Sequence, residues 1–149
     1  MKTALYAGSF DPFTNGHLDI LTQASKIFDK VIIAVAVNSE KKALLPLETR
    51  IELIRKSITG LNNVSVDSYD GLTVEYAKKH DIKFLVRGVR NSSDFDYELQ
   101  ISTTNKLLDA DIATVLLAPK PENAHISSTI VREIYKNGGD ISKFVPNLW

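Results

Sequence analysis

The chain has 149 residues, of which 44% are hydrophobic and 24% are charged, a balance typical of a folded domain with an apolar core. It contains no cysteine, which excludes disulfide frameworks, thiolate-bound zinc, iron–sulfur clusters and cysteine nucleophiles. The 18 basic residues balance the 18 acidic residues, so the overall charge does not indicate a nucleic acid or an anionic membrane as a partner. The longest apolar run, Val31 to Val37, is too short to span a bilayer.

Short apolar runs alternate with helical patterns along the whole sequence. We predict strands at 3–7, 31–37, 64–66, 84–86 and 114–117, and helices at 15–28, 47–58, 73–80, 94–108 and 127–136. The second strand is apolar throughout, as expected for a strand that is covered on both faces. Strands that alternate with helices form βαβ units with right-handed crossovers. The sequence therefore predicts an α/β, Rossmann-like, doubly wound fold with a five-stranded parallel sheet.

The turn after the first predicted strand has the features of a phosphate site. Ligands of an open parallel sheet bind at the carboxyl ends of its strands. There Gly8 allows close approach to a ligand, Ser9 offers a hydroxyl, and Thr14 can cap a helix whose first amides attract anions. His17 follows in the first turn of that helix, where the dipole lowers its pKa and favours a neutral ring that donates to phosphate. Taken alone, this pattern is more typical of a capped helix with a surface histidine.

A second polar turn follows the last predicted strand. Ser127, Ser128 and Thr129 are consecutive hydroxyl residues at a predicted helix start, beside backbone amides suited to a polyphosphate. Arg132 follows one helical turn later. Such a cluster alone is usually an ordinary N-cap. The two turns together favour a nucleotide site over two unrelated caps.

Cations follow two of the middle strands. A lysine pair that begins at Lys41 comes after the second strand, and Arg87 and Arg90 flank a glycine after the fourth. Adjacent lysines on a loop are most often a solvated cluster, whereas arginines at the exit of a parallel strand lie at the expected ligand edge. A guanidinium binds phosphate oxygens through two parallel hydrogen bonds. In the helix that follows, we expect Phe95 and Tyr97 to be core residues.

Two motifs and a central block carry a resemblance to a known family. Thr14-Asn15-Gly16-His17 and the segment Ile126-Ser127-Ser128-Thr129-Ile130-Val131-Arg132 match the (T/H)xGH and ISSTxxR-like motifs of the HIGH-type nucleotidyltransferase superfamily. Arg87-Gly88-Val89-Arg90, followed by Asp94-Phe95-Asp96-Tyr97-Glu98, is more specific. With this block, and with Gly8-Ser9-Phe10-Asp11-Pro12 after the first strand and Lys41-Lys42 after the second, the chain resembles the bacterial phosphopantetheine adenylyltransferases over nearly its whole length.

The resemblance implies a reaction: AMP moves from ATP to 4′-phosphopantetheine, giving dephospho-coenzyme A and pyrophosphate, by direct in-line attack without a covalent intermediate. The acceptor phosphate is already ionised at neutral pH, which agrees with the lack of a nucleophile–base pair. The resemblance implies a single nucleotidyltransferase domain over residues 1–149, feedback by coenzyme A, and a homohexamer. It implies Mg²⁺ held through ATP phosphates and water rather than by a carboxylate cage. We expect a cytoplasmic protein without nucleic-acid or membrane partners.

The resemblance also implies roles for individual residues, in three sets. The implied catalytic residues are His17, which donates to the α-phosphate in the transition state, Lys41 and Arg90. The implied contacts to the phosphopantetheine substrate are Ser9, Lys41, Thr73 and Arg87. The implied ATP-binding residues are Ser9, Phe10, His17, Gly88, Val89, Arg90, Glu98, Asn123, Ala124, His125, Ile126, Ser127, Ser128 and Thr129.

Two alternatives stay open at this point. A sister enzyme, either a mononucleotide adenylyltransferase or a glycerol-phosphate cytidylyltransferase, shares the two end motifs but not the central block in this form. A catalytically silent nucleotide-binding regulator could use the same fold. The presence of His17, Lys41 and Arg90 counts against the regulator, because a silent binder needs no donor at the α-phosphate.

Overall fold

A computed structural model describes residues 1–38 and 40–149 and contains one parallel sheet with a helix after each strand. The strands are β1 (Thr3–Gly8), β2 (Lys30–Val37), β3 (Val64–Asp70), β4 (Phe84–Gly88) and β5 (Ala113–Leu117). The α-helices are α1 (Asn15–Ile27), α2 (Leu47–Ser57), α3 (Thr73–Lys79), α4 (Ser92–Leu108) and α5 (Ser128–Lys136), and a 3-10 turn covers Pro121–Asn123. In the described part of the chain, no helix combines the length and apolarity needed to cross a membrane.

The strand order places a reversal of the chain at the centre of the sheet. The order is β3-β2-β1-β4-β5, and every neighbouring pair is parallel. The chain moves outward from β1 to β3 and then returns to place β4 on the other side of β1. Ligands of open α/β sheets bind in the crevice at such a reversal, beyond the carboxyl ends of the strands. The predicted Rossmann-like fold is confirmed, and its crevice lies between β1 and β4.

Both faces of the central strand are buried, which makes the fold doubly wound. Ala4 and Tyr6 belong to one core cluster, together with apolar residues of α1 and α2. Leu5 and Ala7, which point to the opposite face, belong to a second cluster with residues of α3. Continuous apolar runs in β1 and β2 are therefore required by the cover on both sides of the sheet.

The third strand is longer than its apolar pattern predicts. Only 64–66 is predicted from the sequence, whereas β3 continues to Asp70, which pairs with Val37 of β2. β3 is an edge strand, and its residues alternate between exposed and half-buried positions. An edge strand is only partly covered, so polar residues replace the apolar ones that would reveal its length.

Helix α4 buries only one of its residues, Glu98. Phe95 is 45% exposed and Tyr97 is 61% exposed, so the prediction that these two residues belong to the core is wrong. The apolar residues of α4 are distributed around the helix rather than along one stripe, and a single supporting sheet cannot cover them all. Leu99 and Leu107 are exposed for the same reason.

The C-terminal residues return to the start of α1. The backbone N–H of Asn15 donates to the carbonyl of Phe144 at 2.9 Å. Ile141 and Val145 pack with Ile126 and Val131, which lie at the start of α5. The tail therefore supports both of the turns that the sequence analysis singles out. Because its carbonyl takes up one of the first amides of α1, that amide does not bind an anion.

Candidate active site

A cavity of about 330 Å³ lies at the predicted crevice between β1 and β4. The turn after β1, the end of β4, the start of α4 and the turn before α5 form its walls. His17 and the hydroxyl cluster of Ser127, Ser128 and Thr129 all line this one cavity. The two motifs, which are more than a hundred residues apart in the sequence, thus face a common space because the carboxyl ends of parallel strands meet at one edge.

The capping box at the start of α1 fixes the orientation of His17. Thr14 is the N-cap, and its side chain accepts from the backbone N–H of His17 at 3.2 Å. In return the backbone N–H of Thr14 donates to Nδ1 of His17 at 3.0 Å. A ring nitrogen that accepts a hydrogen bond carries no proton, so the proton of the neutral ring resides on Nε2. Nε2 is therefore the donor that His17 offers to a ligand.

Aromatic rings and nearby charges keep this imidazole neutral. The ring of His17 stacks on Phe13, with centroids 5.7 Å apart, and meets the edge of Phe10 at 5.0 Å. Burial, followed by the positive charges of Arg87 and Arg90, lowers the pKa of His17 to about 3. The neutral ring that the sequence analysis expects is present, but burial is its main cause.

An ion pair with the buried carboxylate of Glu98 holds Arg87, itself half-buried, at the end of β4. Its Nε and Nη2 donate to the two carboxylate oxygens of Glu98 at 2.9 and 2.8 Å, and its Nη1 donates to the carbonyl of Ala7 at 2.6 Å. Burial would lower the pKa of Arg87, but the hydrogen bonds and the charge of Glu98 raise it above its ordinary value. The guanidinium is thus charged and fixed in direction, with its remaining N–H groups free to meet an anion.

A second arginine, Arg90, lines the same cavity. Nε of Arg90 donates to Asp94 at 2.9 Å, and its Nη1 donates to the carbonyl of Ile126 at 3.3 Å. The side chains of Arg90 and Asp94 are 30% and 26% exposed, so water screens this pair more than the pair of Arg87 and Glu98. Arg90 connects the exit of β4 to the turn before α5.

The hydroxyl cluster is joined directly to the first turn. Ser127 is the N-cap of α5, and its hydroxyl accepts from the backbone N–H of Ile130 at 3.2 Å. The hydroxyl of Ser128 donates to the carbonyl of Pro12 at 2.9 Å. Nη1 of Arg132 donates to the carbonyl of Asp11 at 2.8 Å. The turn after β1 and the turn before α5 therefore form one connected wall.

A buried carboxylate holds the loop that leads into this wall. Asp19 of α1 accepts from the backbone N–H of Lys120 at 2.6 Å, from Nδ2 of Asn123 at 3.2 Å and from Nε2 of Gln23 at 2.9 Å. Burial alone would raise the pKa of Asp19, but these hydrogen bonds lower it below its ordinary value. Asn123 lines the cavity, so Asp19 helps to set the width of the cleft.

A second cavity, of about 260 Å³, adjoins the first. Ala7, Gly8 and Arg87 line both cavities, so Arg87 lies at their junction. Thr73 of α3 and Asn105 of α4 contribute polar side chains to a lining that is otherwise mostly apolar. The shape is that of a polar chamber continued by a more apolar one.

The structure gathers most of the predicted site residues but not all of them. Those that line the first cavity are Ser9, Phe10, His17, Arg87, Gly88, Arg90, Glu98, Asn123, Ile126, Ser127, Ser128 and Thr129. Thr73 lines the second cavity instead. Lys41 is exposed on the segment after β2. Three other predicted residues do not line the first cavity, although each stands close in sequence to one that does: Val89, Ala124 and His125.

Asp94 and Tyr97 of α4 are among the residues of the first cavity that sequence reasoning did not assign to the site. Asp94 is the partner of Arg90, and the spacing of four residues between them was a usable signal of an ion pair. Tyr97 lines the cavity from the exposed side of α4. Nothing in the sequence distinguishes Tyr97, because α4 has no apolar stripe that would assign its faces.

Comparison with known proteins adds independent information. The cytidylyltransferase-like family matches residues 5–134. The chain is 49% identical over 144 residues to the phosphopantetheine adenylyltransferase of Nautilia profundicola, covering 97% of this chain and 94% of that one. It is 50% identical over 147 residues to the phosphopantetheine adenylyltransferase of Lachnoclostridium phytofermentans, covering 99% and 90% of the two chains.

A solved structure supports the fold. A protein from Vibrio parahaemolyticus, provisionally named a nicotinate-nucleotide adenylyltransferase, superposes with a TM-score of 0.70. It is 21% identical, with 97% of this chain and 87% of that chain covered, which shows a shared fold and no more. The sequence relatives establish the family as well as the fold, since they are identical to this chain at about half of the aligned positions along nearly their entire lengths. The chain belongs to the phosphopantetheine adenylyltransferase family.

Proposed function

We propose that this protein transfers the adenylyl group of ATP to 4′-phosphopantetheine, with release of pyrophosphate and formation of dephospho-coenzyme A. The observation that carries the proposal is the position of Arg87, a fixed cation at the junction of two cavities. The polar cavity, which His17 and the hydroxyl cluster line, suits a nucleoside triphosphate. The adjoining cavity suits the arm of a phosphorylated acceptor, and the names of the relatives specify that acceptor as phosphopantetheine.

The reaction needs positioning more than acid–base chemistry. An oxygen of the acceptor phosphate attacks the α-phosphorus of ATP, and the bond from that phosphorus to the bridging oxygen breaks as pyrophosphate leaves. The attacking phosphate is ionised at neutral pH and needs no base. The protein therefore has two tasks, which are to bring two anions together and to stabilise the charge on the α-phosphate during in-line displacement.

In this proposal His17 stabilises the transition state. Its Nε2–H is fixed by the hydrogen bond that the Thr14 amide makes to Nδ1, and it points away from the capping box. Because its pKa is depressed, the ring takes up no second proton at neutral pH, and the N–H of a neutral imidazole is too weak an acid to be lost to phosphate, so His17 lends a hydrogen bond without acting as an acid. A preoriented donor of this kind in a dry site stabilises developing charge more than water does.

The remaining cations divide between the two substrates. Arg87 and Lys41 are assigned to the acceptor phosphate, because one is fixed at the junction and the other is an exposed, movable point charge. Arg90 and the amides and hydroxyls of residues 127–129 are assigned to the β- and γ-phosphates, which the turn before α5 would face. Ser9 with the backbone of Phe10 completes the phosphate contacts, and Gly88, Val89, Glu98 and residues 123–126 would surround the nucleotide.

Mg²⁺ fits this site only as a companion of ATP. Among residues 1–38 and 40–149, no three His, Cys, Asp or Glu side chains come together as a metal site. The two carboxylates of the first cavity, Asp94 and Glu98, are each paired with an arginine. Phosphate oxygens and water are the ligands that Mg²⁺ prefers when protein carboxylates are few, and the ion would neutralise charge on the polyphosphate. We assign no protein ligand to it.

Three further parts of the proposal concern the setting of the reaction. We propose a homohexamer, in which contacts between copies cover the exposed apolar residues of α4, such as Leu99 and Leu107. We propose feedback by coenzyme A, which contains both an adenine nucleotide and a pantetheine arm and would occupy both cavities. We place the protein in the cytoplasm. Sedimentation velocity of the purified protein tests the first of these, since a monomer at micromolar concentration contradicts it.

A pyrophosphate-release assay tests the reaction itself. Purified protein with MgATP is offered 4′-phosphopantetheine, nicotinamide mononucleotide, nicotinate mononucleotide or glycerol phosphate, and the last acceptor is also tested with MgCTP. We expect release with 4′-phosphopantetheine alone. Release only with another acceptor would assign the protein to a sister enzyme of the same fold. Release with none, combined with ATP binding by calorimetry, would identify a silent regulator.

A further inference from the structure

We call residues 9–14, after β1, the phosphate turn, and residues 40–46, after β2, which include Lys41, the lysine segment. A buried carboxylate attaches the lysine segment to the phosphate turn. Asp11 is only 6% exposed. Its Oδ2 accepts from the backbone N–H of Leu44 at 2.8 Å, and its Oδ1 accepts from the backbone N–H of Leu45 at 2.9 Å. A carboxylate removed from water needs strong donors, and here the donors are two successive amides of the lysine segment. The two hydrogen bonds fix both the position and the direction of that backbone.

A buried arginine attaches the same segment a second time. Arg50 of α2 is 6% exposed. Its Nε donates to the carbonyl of Leu45 at 3.2 Å, and its Nη1 donates to the carbonyl of Ser9 at 2.8 Å. The guanidinium therefore bridges the lysine segment and the turn after β1. Both the N–H and the C=O of Leu45 are thus held by groups that belong to, or bind, the phosphate turn.

The phosphate turn is rigid enough to act as a reference for the lysine segment. Ser9 and Phe10 line the first cavity. The carbonyls of Asp11 and Pro12 accept from Arg132 and Ser128, which belong to the wall formed by α5. The same short stretch of chain thereby contacts the cavity, the hydroxyl cluster and the lysine segment. A displacement of the lysine segment relative to the cavity must break hydrogen bonds to this stretch.

We propose that Asp11 is a positioning residue for Lys41. By holding the amides of Leu44 and Leu45, it keeps the segment at the carboxyl edge of the sheet, so that the ammonium group of Lys41 reaches the acceptor phosphate. This inference rests on the proposed function, which assigns that phosphate to Lys41. An exposed lysine has a long side chain with many rotamers, so anchoring of its backbone limits the volume that its ammonium group samples.

A double-mutant cycle between Asp11 and Lys41 tests the inference. In Asp11→Asn the amide group presents N–H donors where the carboxylate accepted, so one hydrogen bond to the segment is lost. We expect kcat/KM for 4′-phosphopantetheine to fall on the order of tenfold, the effect of one lost hydrogen bond to a charged group. In Lys41→Ala the ammonium is absent and its position no longer matters. The double variant should therefore equal Lys41→Ala within about threefold.

Asp19→Asn is the matched control. Asp19 is also a buried carboxylate, at 8% exposure, and it also accepts from a backbone amide, that of Lys120. Its partners are Lys120 and Asn123 and not the segment that carries Lys41, so its effect should multiply with that of Lys41→Ala. A purely structural role of Asp11 would produce the same multiplication in the Asp11 cycle. The inference is therefore overturned if the losses of kcat/KM in Asp11→Asn and Lys41→Ala multiply in the double variant. It is also overturned if Asp11→Asn keeps the wild-type kcat/KM.

The proposed function and the inference fail in different ways. Wild-type protein that releases no pyrophosphate with 4′-phosphopantetheine contradicts the proposed function. An active wild type with a fully active Lys41→Ala variant keeps the function and overturns the inference. If Asp11→Asn does not fold, as judged by circular dichroism, Arg50→Lys replaces it in the cycle, because lysine can reach only one of the two carbonyls that Arg50 bridges. The loss of kcat/KM caused by Arg50→Lys must likewise disappear when Lys41 is already alanine. If the two losses multiply in the double variant, the inference is overturned.

Discussion

The two arginines at the end of β4 show two ways of presenting charge to a ligand. Arg87 pairs with a carboxylate that is 6% exposed and also donates to a backbone carbonyl, so its direction is set before any ligand arrives. The two arginine side chains are similarly exposed, at 33% and 30%, so the difference lies in their partners: Asp94, which pairs with Arg90, is 26% exposed, and the bond from Arg90 to the carbonyl of Ile126 is long, at 3.3 Å. We call the group of His17, Arg87 and Glu98 the inner region and the group of Arg90 and Asp94 the outer region. The inner region is preorganised, whereas the outer region can rearrange around a polyphosphate.

The difference assigns separate tasks to the two regions. Stabilisation of a transition state requires donors whose position is fixed in advance, because reorganisation during the reaction costs free energy. Capture of a flexible triphosphate requires charges that can follow it, and exposed side chains can do so at small cost. The inner region should therefore control turnover and folding stability, and the outer region should control binding.

Removal of the inner donor should have the largest effect. His17→Ala loses the Nε2–H group, and we expect kcat to fall by about two to three orders of magnitude, or about 3–4 kcal/mol of activation free energy. Binding of MgATP should change little, because the phosphates keep their other contacts. Steady-state kinetics and calorimetry measure the two quantities. His80→Ala, at the C-cap of α3 and outside the lining of both cavities, is the control and should be fully active. Equal losses of binding and turnover would assign His17 to ground-state binding.

The two ion pairs should differ in their contributions to folding. Glu98→Gln removes a buried carboxylate and leaves the half-buried Arg87 without its counter-charge, and we expect the free energy of unfolding to fall by about 2 kcal/mol, less than for a fully buried pair because water reaches part of the guanidinium. Asp94→Asn removes the partner of Arg90 in the outer region, where exposed pairs contribute about 1 kcal/mol or less. Urea unfolding of the two variants measures both values. Similar losses for the two variants would contradict the division into inner and outer regions.

The low pKa of His17 predicts how stability responds to acid. Its folded-state pKa, about 3, lies below the ordinary value of 6.5, so below pH 6.5 the unfolded state binds the proton and the folded state does not. The stability from this group is complete above pH 6.5 and is lost as the pH falls toward 3. At pH 5 we expect the loss relative to pH 7 to exceed that of His17→Asn by about 1–2 kcal/mol. The comparison uses urea unfolding at both pH values, and parallel losses would mean that the ring titrates normally.

The sequence predicted the inner region better than its surroundings. The strand alternation and the motifs that contain His17 and Ser127–Thr129 were sufficient to locate the crevice, because the carboxyl ends of parallel strands must share an edge. The pairing of Glu98 with Arg87 could not be predicted, since Asp94 and Asp96 lie in the same turns of α4 and nothing in the residue pattern selects one of the three acids. Asp11 belongs to a segment that carries the family resemblance, but its role could not be predicted, because its partners are backbone amides and have no sequence signature.

The exposed face of α4 and the segment that carries Lys41 were predicted less well for a different reason. Periodicity reports burial, and α4 buries only Glu98 in this chain, so its exposed aromatic residues were assigned to the core. Lys41 illustrates the opposite case, since a family motif selects it although it does not line a cavity here. The hydrophobic pattern of one sequence reports which side chains are buried, so it does not identify an exposed residue that acts through a flexible side chain.

The smallest effect is expected at Thr73, in the second cavity. Its hydroxyl forms a hydrogen bond with the hydroxyl of Tyr69 at 2.8 Å and so already has a partner within the protein. Thr73→Val keeps the shape and removes that bond, and we expect KM for 4′-phosphopantetheine to rise by no more than about threefold, the cost of one neutral hydrogen bond. Tyr69→Phe removes the same bond from the other side and should give the same small change, while KM for MgATP stays constant in both.

A rise of more than about tenfold in Thr73→Val alone would mean that this hydroxyl turns from Tyr69 to the acceptor when the acceptor binds, since only a bond to the substrate would separate the two variants. The second cavity would then rearrange around its ligand as the outer region does, and preorganisation would be confined to the residues around His17 and Arg87.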